Sequence, residues 1–172
     1  MIRPSSLAQL ALAAAAMAVP ARVDAVPASK NATGAATLLR PLTLQKKSDL
    51  DFGNVIGSAA AGTVVLNPAT TAVTTTGGIT RAGGVPSAAR FTGAASDGPV
   101  VNIKLPNQPV LLTRVGGTQT VSLSAFTLDG PAKRVMGTAP SFDFSVGGTV
   151  TIPANPVAGD YVGTFPVTVQ YP

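Results

Sequence analysis

The chain has 172 residues, and its 12 lysines and arginines outnumber its 7 aspartates, which gives a formal net charge of +5. It contains no cysteine, histidine, tryptophan or glutamate, so disulfides, thiolate metal sites and histidine-based catalysis are excluded. Basic residues are not interleaved with stacking aromatic residues, so nucleic-acid binding is not expected. We therefore predict a protein that is not an enzyme and has no cofactor or metal, with an aspartate-based hydrolase as the enzymatic alternative.

Residues 1–25 have the three-part pattern of a secretory signal peptide. A short, positively charged opening is followed by the alanine-rich, apolar residues 7–19. This run is shorter than the ~20 residues that a spanning helix needs, although a buried or anchored helix is the alternative. Small residues favour cleavage after Ala25, with Ala21 as the second choice, and no later segment is apolar enough to cross a membrane.

Residues 26–40 are predicted to be a flexible amino-terminal extension, because they are small and polar. Alternate positions within it are small or apolar, as in an extended strand. These positions are Ala32, Gly34, Ala36 and Leu38. The alternative is a disordered tail that remains after processing.

Residues 41–172 are predicted to form one domain. Eighteen glycines and 15 prolines punctuate the chain, and the segments between them are short and rich in threonine and valine. Many short alternating strands separated by Gly-Gly and Asn-Pro turns are typical of a sandwich or a partly open barrel. We therefore predict an all-β fold, an Ig-like antiparallel β-sandwich.

Four local predictions follow from turn and alternation patterns. Residues 94–98 read as a hairpin-like turn, residues 131–140 as a loop, and Gly147-Gly148 as a tight turn. The alternation of residues 120–128 slips after Ala125, as a β-bulge would produce.

Asp49 and Asp51 share one face of a short segment whose other face carries Leu50 and Phe52. Paired carboxylates can act in acid–base catalysis or bind a metal, but further ligands and a second environment are missing nearby. We predict solvent-facing or turn-capping roles for both.

The last fourteen residues alternate strictly between apolar and polar side chains, except at Val162. Such a period of two predicts a long, half-buried strand. Pro166 lacks an amide hydrogen and so indicates a sheet edge or a bulge.

This ending resembles the carboxyl end of chaperone–usher pilins, the subunits of bacterial fimbriae. The resemblance depends on the alternation, on a penultimate aromatic residue and on a glycine fourteenth from the end. In that family a periplasmic chaperone reads such an edge by strand addition, which implies six edge-strand residues here. They are Gly159, Tyr161, Phe165, Val167, Val169 and Tyr171. An ordinary closing strand of a sandwich is the alternative.

Three segments, Pro41 to Gly53, Phe142 to Val150 and Gly159 to Tyr171, also resemble domain-of-unknown-function family 4402. That family consists of secreted bacterial β-domains, and the likeness extends over roughly residues 37–172. It implies a fold and an exported location more than an activity.

Together the resemblances imply a structural subunit of a surface fimbria, exported through the periplasm to the cell surface. Its partners would be a periplasmic chaperone, an outer-membrane usher and neighbouring subunits. By analogy with pilins, Ala32, Gly34, Ala36 and Leu38 would form a donor strand that completes a neighbour's incomplete sandwich. The alternative is a self-contained, secreted or surface β-domain that binds a carbohydrate or protein ligand.

Overall fold

The computed structural model describes residues 29–138 and 141–172, so the predicted signal peptide lies outside the described residues. The chain divides into two units, Met1–Ala36 and Thr37–Pro172, and every strand belongs to the second. The described residues contain no helix, and therefore none that is long and apolar enough to cross a bilayer. The strands are β1 Thr43–Ser48, β2 Val55–Ile56, β3 Gly62–Leu66, β4 Val73–Gly77, β5 Thr80–Arg81, β6 Ala89–Ala94, β7 Val100–Lys104, β8 Val110–Arg114, β9 Thr120–Leu128, β10 Lys133–Val135, β11 Ser141–Ile152, β12 Tyr161–Val162 and β13 Thr168–Gln170.

The largest sheet has eight strands, and its main path runs β1-β6-β11-β9-β8-β12. Strand β11 is twelve residues long and pairs with β6 through its first half and with β3 through its second half. Strand β4 then continues outward from β3. All of these pairings are antiparallel, which fits the alternation of buried and more exposed residues along β3 and β9.

A second sheet, β10-β7-β13, covers part of the large sheet, and β2 pairs with β5 in a short ribbon. The core between the large sheet and this second sheet includes Phe144, Val146, Ala89 and Ile103. Phe144 is fully buried, and its ring stacks on that of Phe91 at a centroid distance of 5.2 Å. Two antiparallel layers around an apolar core confirm the predicted β-sandwich.

The prediction of a tight turn at Gly147-Gly148 is wrong, because both glycines lie inside β11. They lie where β11 changes its partner from β6 to β3. A Cβ on Gly147 would be 2.3 Å from the carbonyl oxygen of Leu66. The glycine therefore permits a close approach of two backbones rather than a change of direction.

The predicted bulge in β9 is confirmed. Ser124 lies opposite Thr149, and Thr127 lies opposite Gly147, so Ala125 and Phe126 together face the single residue Gly148. Ala125 has a φ of 47°, which is unusual for a residue with a side chain. The extra residue explains why the apolar alternation shifts phase at this point.

Two turn predictions differ from the structure. Residues 94–98 do not close a hairpin, because β6 pairs in the large sheet while β7 pairs with β10 and β13. The segment instead crosses from one layer to the other. Residues 131–140 include β10, whose residues pair with Val100, Val101 and Asn102, so that stretch is not wholly a loop.

Candidate functional site

The carboxyl-terminal stretch alternates in burial as its sequence predicts. The predicted edge residues Tyr161, Phe165, Val167, Val169 and Tyr171 are half-buried, and the residues between them are exposed. Phe165 packs against two core clusters, and the centroid of its ring lies 4.9 Å from the centroid of the Phe126 ring. The apolar face of this stretch therefore closes one side of the core.

The stretch is not one long strand. Tyr161–Val162 pairs with β8 at the edge of the main path of the large sheet, whereas Thr168–Gln170 pairs with β7 at an edge of the second sheet. Residues 163–167 form no strand, and Pro166 lies among them. Both strands of this stretch therefore lie at a sheet edge, as predicted, one in each layer. The chain crosses from the first layer to the second in the segment that contains Pro166.

Gly159 lies just before β12 and has a φ of 148°. A Cβ at this position would lie 2.6 Å from the Nε atom of Arg114. That Nε–H donates to the carbonyl oxygen of Ala158 at 2.8 Å. The glycine therefore allows the arginine side chain to lie across the backbone at the start of the strand.

Tyr171 is fixed by hydrogen bonds to two distant segments. Its hydroxyl donates to the carbonyl oxygen of Arg40 and accepts from the N–H of Ser96, both at 2.9 Å. Its ring packs beside the core cluster of Ala95, Val101 and Met136. The penultimate aromatic residue therefore joins both ends of the folded unit.

An open groove of about 910 Å³ lies beside β12. One wall consists of residues 49–57 and the other of residues 156–163 with Phe165. Its floor is the inner face of the large sheet, from strands β3, β8, β9 and β11. The floor residues are Val64, Leu112, Val121, Leu123, Val150 and Ile152.

The first wall has one paired and one open backbone edge. Asp51 and Ser87 exchange two backbone hydrogen bonds of 2.8 and 2.9 Å, and Asn54 bonds in the same way to Ala82 and Gly83. Alternate residues of an extended chain direct their N–H and C=O groups to opposite sides. The N–H groups of Leu50 and Phe52 make no backbone hydrogen bond among the described residues, so they are available to a further strand.

Three aspartates, Asp49, Asp51 and Asp160, line the groove, and no lysine or arginine does so among the described residues. Asp49 pairs with Lys46 at 2.5 Å on the surface. Asp51 accepts the N–H of Gly53 at 2.8 Å, which is a turn-capping bond. The predicted solvent-facing and capping roles of the first two aspartates are confirmed.

The predicted donor residues Ala32, Gly34, Ala36 and Leu38 are all exposed and lie in residues 29–42, which form no strand. The side chain of Leu38 is 97% exposed. The donor role of these residues stays a prediction.

The groove combines apolar side chains with exposed carboxylates. Among the described residues, no three carboxylates are grouped as metal ligands and no charged side chain is buried. Apolar floor residues and free peptide groups in the wall are the features that bind an extended peptide. The sequence analysis did not predict that residues 49–57 form a wall of the groove. The alternation of Leu50 and Phe52 with polar residues was the available sign that this segment is extended and packs on the core.

These features define the protein as an antiparallel β-sandwich domain with an open apolar groove beside its carboxyl-terminal edge. The chain belongs to the family described as "Domain of unknown function (DUF4402)", which it matches over residues 42–171. No curated protein and no solved structure matches the chain. The family prediction is therefore confirmed, and the resemblance to chaperone–usher pilins stays a prediction.

Proposed function

We propose that this protein is a structural subunit of a bacterial surface fimbria, assembled by strand exchange along a chaperone–usher-like route. The observation that carries the proposal is the apolar groove between residues 49–57 and the carboxyl-terminal edge. It runs over core residues that are at most 7% exposed, apart from the half-buried Leu112. An added strand would therefore pack mainly against the half-buried side chains along the rim, among them Leu50, Phe52 and Phe165. The subunit would be exported through the periplasm and would reach the cell surface as part of a polymer.

Physical reasons favour an extended segment as the occupant of this groove. The N–H groups of Leu50 and Phe52 supply main-chain hydrogen-bond partners, and the half-buried side chains of Tyr161 and Phe165 supply apolar contacts at ~25 cal/mol per Å² buried. Strand addition obtains affinity from the first and sequence preference from the second. The edge residues Tyr161 and Phe165 border the same groove, so an incoming strand would contact the segment that the chaperone is proposed to read.

The extension of a neighbouring subunit is the donor that we propose. Residues 29–40 carry Lys30 and Arg40 and no carboxylate, whereas the groove is lined by three aspartates. Opposite charges favour their encounter at low salt. The alternating residues Ala32, Gly34 and Ala36 are small, so we assign most of the apolar contact to Leu38.

The oligomeric state tests this proposal. The processed chain, residues 26–172, is compared with a version that begins at Leu39, by size-exclusion chromatography with light scattering. We expect the longer chain to assemble and the shorter one to stay small and less stable. A synthetic peptide of residues 29–40 should then stabilise the shorter chain, by about 2.7 kcal/mol at a hundredfold excess over its dissociation constant.

A peptide that carries Leu38→Asp is the matched control, and it should give little stabilisation, because a carboxylate would enter the apolar floor. If both chain lengths are equally stable monomers and neither peptide has an effect, strand exchange is wrong.

The second candidate is a self-contained, secreted or surface domain that binds a carbohydrate or protein ligand. The groove volume of about 910 Å³ lies within the range of about 300–1,000 Å³ that is typical of ligand sites. Stable monomers that bind a carbohydrate or a protein in this groove would favour that function.

A further inference from the structure

The outer face of the large sheet carries a row of uncharged side chains that crosses five strands. The pairing register aligns one residue from each of β4, β3, β11, β9 and β8. The members of this central row are Thr76, Thr63, Thr151, Ser122 and Leu111.

Two shorter rows flank it, each two residues further along the strands. On one side Thr74, Val65, Thr149 and Ser124 are aligned. On the other side Thr120, Thr113 and Val162 are aligned. We call the three rows together the hydroxyl face, because nine of the twelve residues are threonine or serine.

The hydroxyl face is open to solvent. None of its residues is buried, and the side chains of Leu111 and Val162 are each 60% exposed. The hydroxyl groups of Thr63 and Thr76 hydrogen-bond to each other at 2.7 Å, which shows that neighbouring hydroxyls can meet across strands. These side chains alternate with the groove floor, so the two surfaces lie on opposite sides of the same strands.

The absence of charge on the hydroxyl face contrasts with the net charge of +5 on the chain. The strands of this sheet contain two arginines, and Arg90 lies on β6, outside the face. Arg114 lies on β8 but alternates with Thr113, and its Nε–H is directed to the carbonyl oxygen of Ala158. A charged partner would therefore find no complementary group on this face.

We propose that the hydroxyl face is a contact surface for the same face of a second copy of this chain. A two-fold contact requires a surface that is complementary to itself. A hydroxyl group both donates and accepts hydrogen bonds, so an array of hydroxyls satisfies that requirement, which a field of like charges does not. Two copies of like net charge repel each other least where no charged side chain lies at the contact, which favours the neutral face for a contact between identical surfaces.

The size of the face predicts a weak contact. The three rows together extend over six strands, from β4 to β12, and neighbouring strands lie about 4.8 Å apart. Neighbouring rows lie about 6.7 Å apart, so the area of the face is on the order of 300–400 Å² per copy. A stable pair usually buries about 800 Å² per partner. We therefore infer a transient pair in solution, which would strengthen by multivalency if many copies were linked.

A matched pair of charge variants tests the contact in the processed chain, residues 26–172, with Leu38→Asp added to every protein so that the proposed strand exchange is removed. Thr151→Lys adds a charge at the centre of the face, and Thr168→Lys adds the same charge at an exposed position of β13, in the other layer. Sedimentation measures self-association from about 10 µM to 1 mM. We expect Thr151→Lys to weaken self-association at least about tenfold and Thr168→Lys to change it less than about twofold.

A mixing experiment shows whether the partner of the face is the same face of a second copy. In that case an equimolar mixture of Thr151→Lys and Thr151→Asp should associate more strongly than either variant alone, because opposite charges then meet at the contact. Because every protein in this test carries Leu38→Asp, the proposed strand exchange does not contribute to the measured association. The proposal is overturned if the chain with Leu38→Asp alone shows no concentration-dependent association, or if the two lysine variants weaken it equally. It is also overturned if Thr151→Lys abolishes retention on a neutral polysaccharide gel but leaves self-association unchanged, since the face would then bind a glycan.

Discussion

Tyr171, the penultimate residue, donates its hydroxyl hydrogen to the carbonyl oxygen of Arg40, which lies 2.9 Å away and 131 residues earlier. The same hydroxyl accepts the N–H of Ser96, and the N–H of Arg40 donates to the Ser96 side chain at 2.5 Å. These three hydrogen bonds form a closed ring between the carboxyl-terminal strand, the crossover after β6 and the residue that precedes the sandwich. The end of the extension is thereby fixed to the end of the chain.

Replacing Tyr171 by phenylalanine should destabilise the domain while preserving its packing. The change removes two hydrogen bonds, each worth about 0.5–1.5 kcal/mol, and leaves the ring in place. We expect a loss of about 1–2 kcal/mol in the free energy of unfolding and a thermal midpoint lower by about 2–4 °C for each kcal/mol. Chemical and thermal denaturation measure the two quantities.

Tyr161→Phe is the matched control for that measurement. The Tyr161 hydroxyl makes one hydrogen bond, to the carbonyl oxygen of Val157 at 2.7 Å on the surface. Its loss should cost less than the loss at Tyr171, because one hydrogen bond is removed instead of two. If Tyr161→Phe lowers the free energy of unfolding as much as Tyr171→Phe or more, the hydrogen bonds among Tyr171, Arg40 and Ser96 do not contribute the expected stability.

Asp129→Ala should destabilise the domain far more than Asp49→Ala. Asp129 bonds to the Nη2 atom of Arg134 at 2.7 Å and accepts the N–H of Ser145 at 2.9 Å, and the side chains of the ion pair are only 20% and 25% exposed. Asp49 pairs with Lys46, and those side chains are 57% and 79% exposed. We expect losses of about 1–3 kcal/mol at Asp129 and less than about 0.5 kcal/mol at Asp49.

Urea denaturation of the two variants, in low and in high salt, checks this difference. High salt should reduce the contribution of the Asp49–Lys46 ion pair to the free energy of unfolding, because exposed charges are screened. Similar losses at the two positions would show that the partly buried network around Arg134 adds nothing beyond a surface ion pair.

Gly147→Ala should destabilise the sandwich, whereas Gly137→Ala should be nearly neutral. The new methyl at Gly147 would overlap the Leu66 carbonyl oxygen and Pro68, so two backbones would have to separate. Overpacking of this kind costs about 1–3 kcal/mol. At Gly137 a Cβ would meet nothing within 4 Å, so thermal midpoints that fall equally for both variants would contradict the close-approach explanation.

Sequence patterns predicted which residues of a strand face the core, but they did not predict which strands pair with each other. The period of two in the last residues correctly placed Phe165, Val167 and Val169 on the core side, because alternation is a property of any extended chain. It could not show that β12 and β13 pair in different sheets, since each pairing depends on β8 and β7, more than 40 residues earlier.

The glycine pairs illustrate the same limit. Gly116-Gly117 lies in the turn of the β8–β9 hairpin, whereas Gly147-Gly148 lies inside β11 beside a crossing backbone. Glycine serves both purposes, so only the tertiary neighbours distinguish them. The groove was missed for a related reason, because its two walls are separated by about 100 residues of sequence and meet only in the folded domain.

Amide hydrogen exchange should reveal the open edge of the groove directly. The N–H groups of Asp51 and Asn54 donate to Ser87 and Gly83, so they should exchange slowly. The N–H groups of Leu50 and Phe52 donate to no backbone carbonyl among the described residues and should exchange much faster. Adding the peptide of residues 29–40 should slow exchange at Leu50 and Phe52 and leave Asp51 and Asn54 unchanged, because an added strand bonds only to the open edge. Equal protection of all four amides in the free protein would show that this edge is already paired and that the groove cannot accept a strand there.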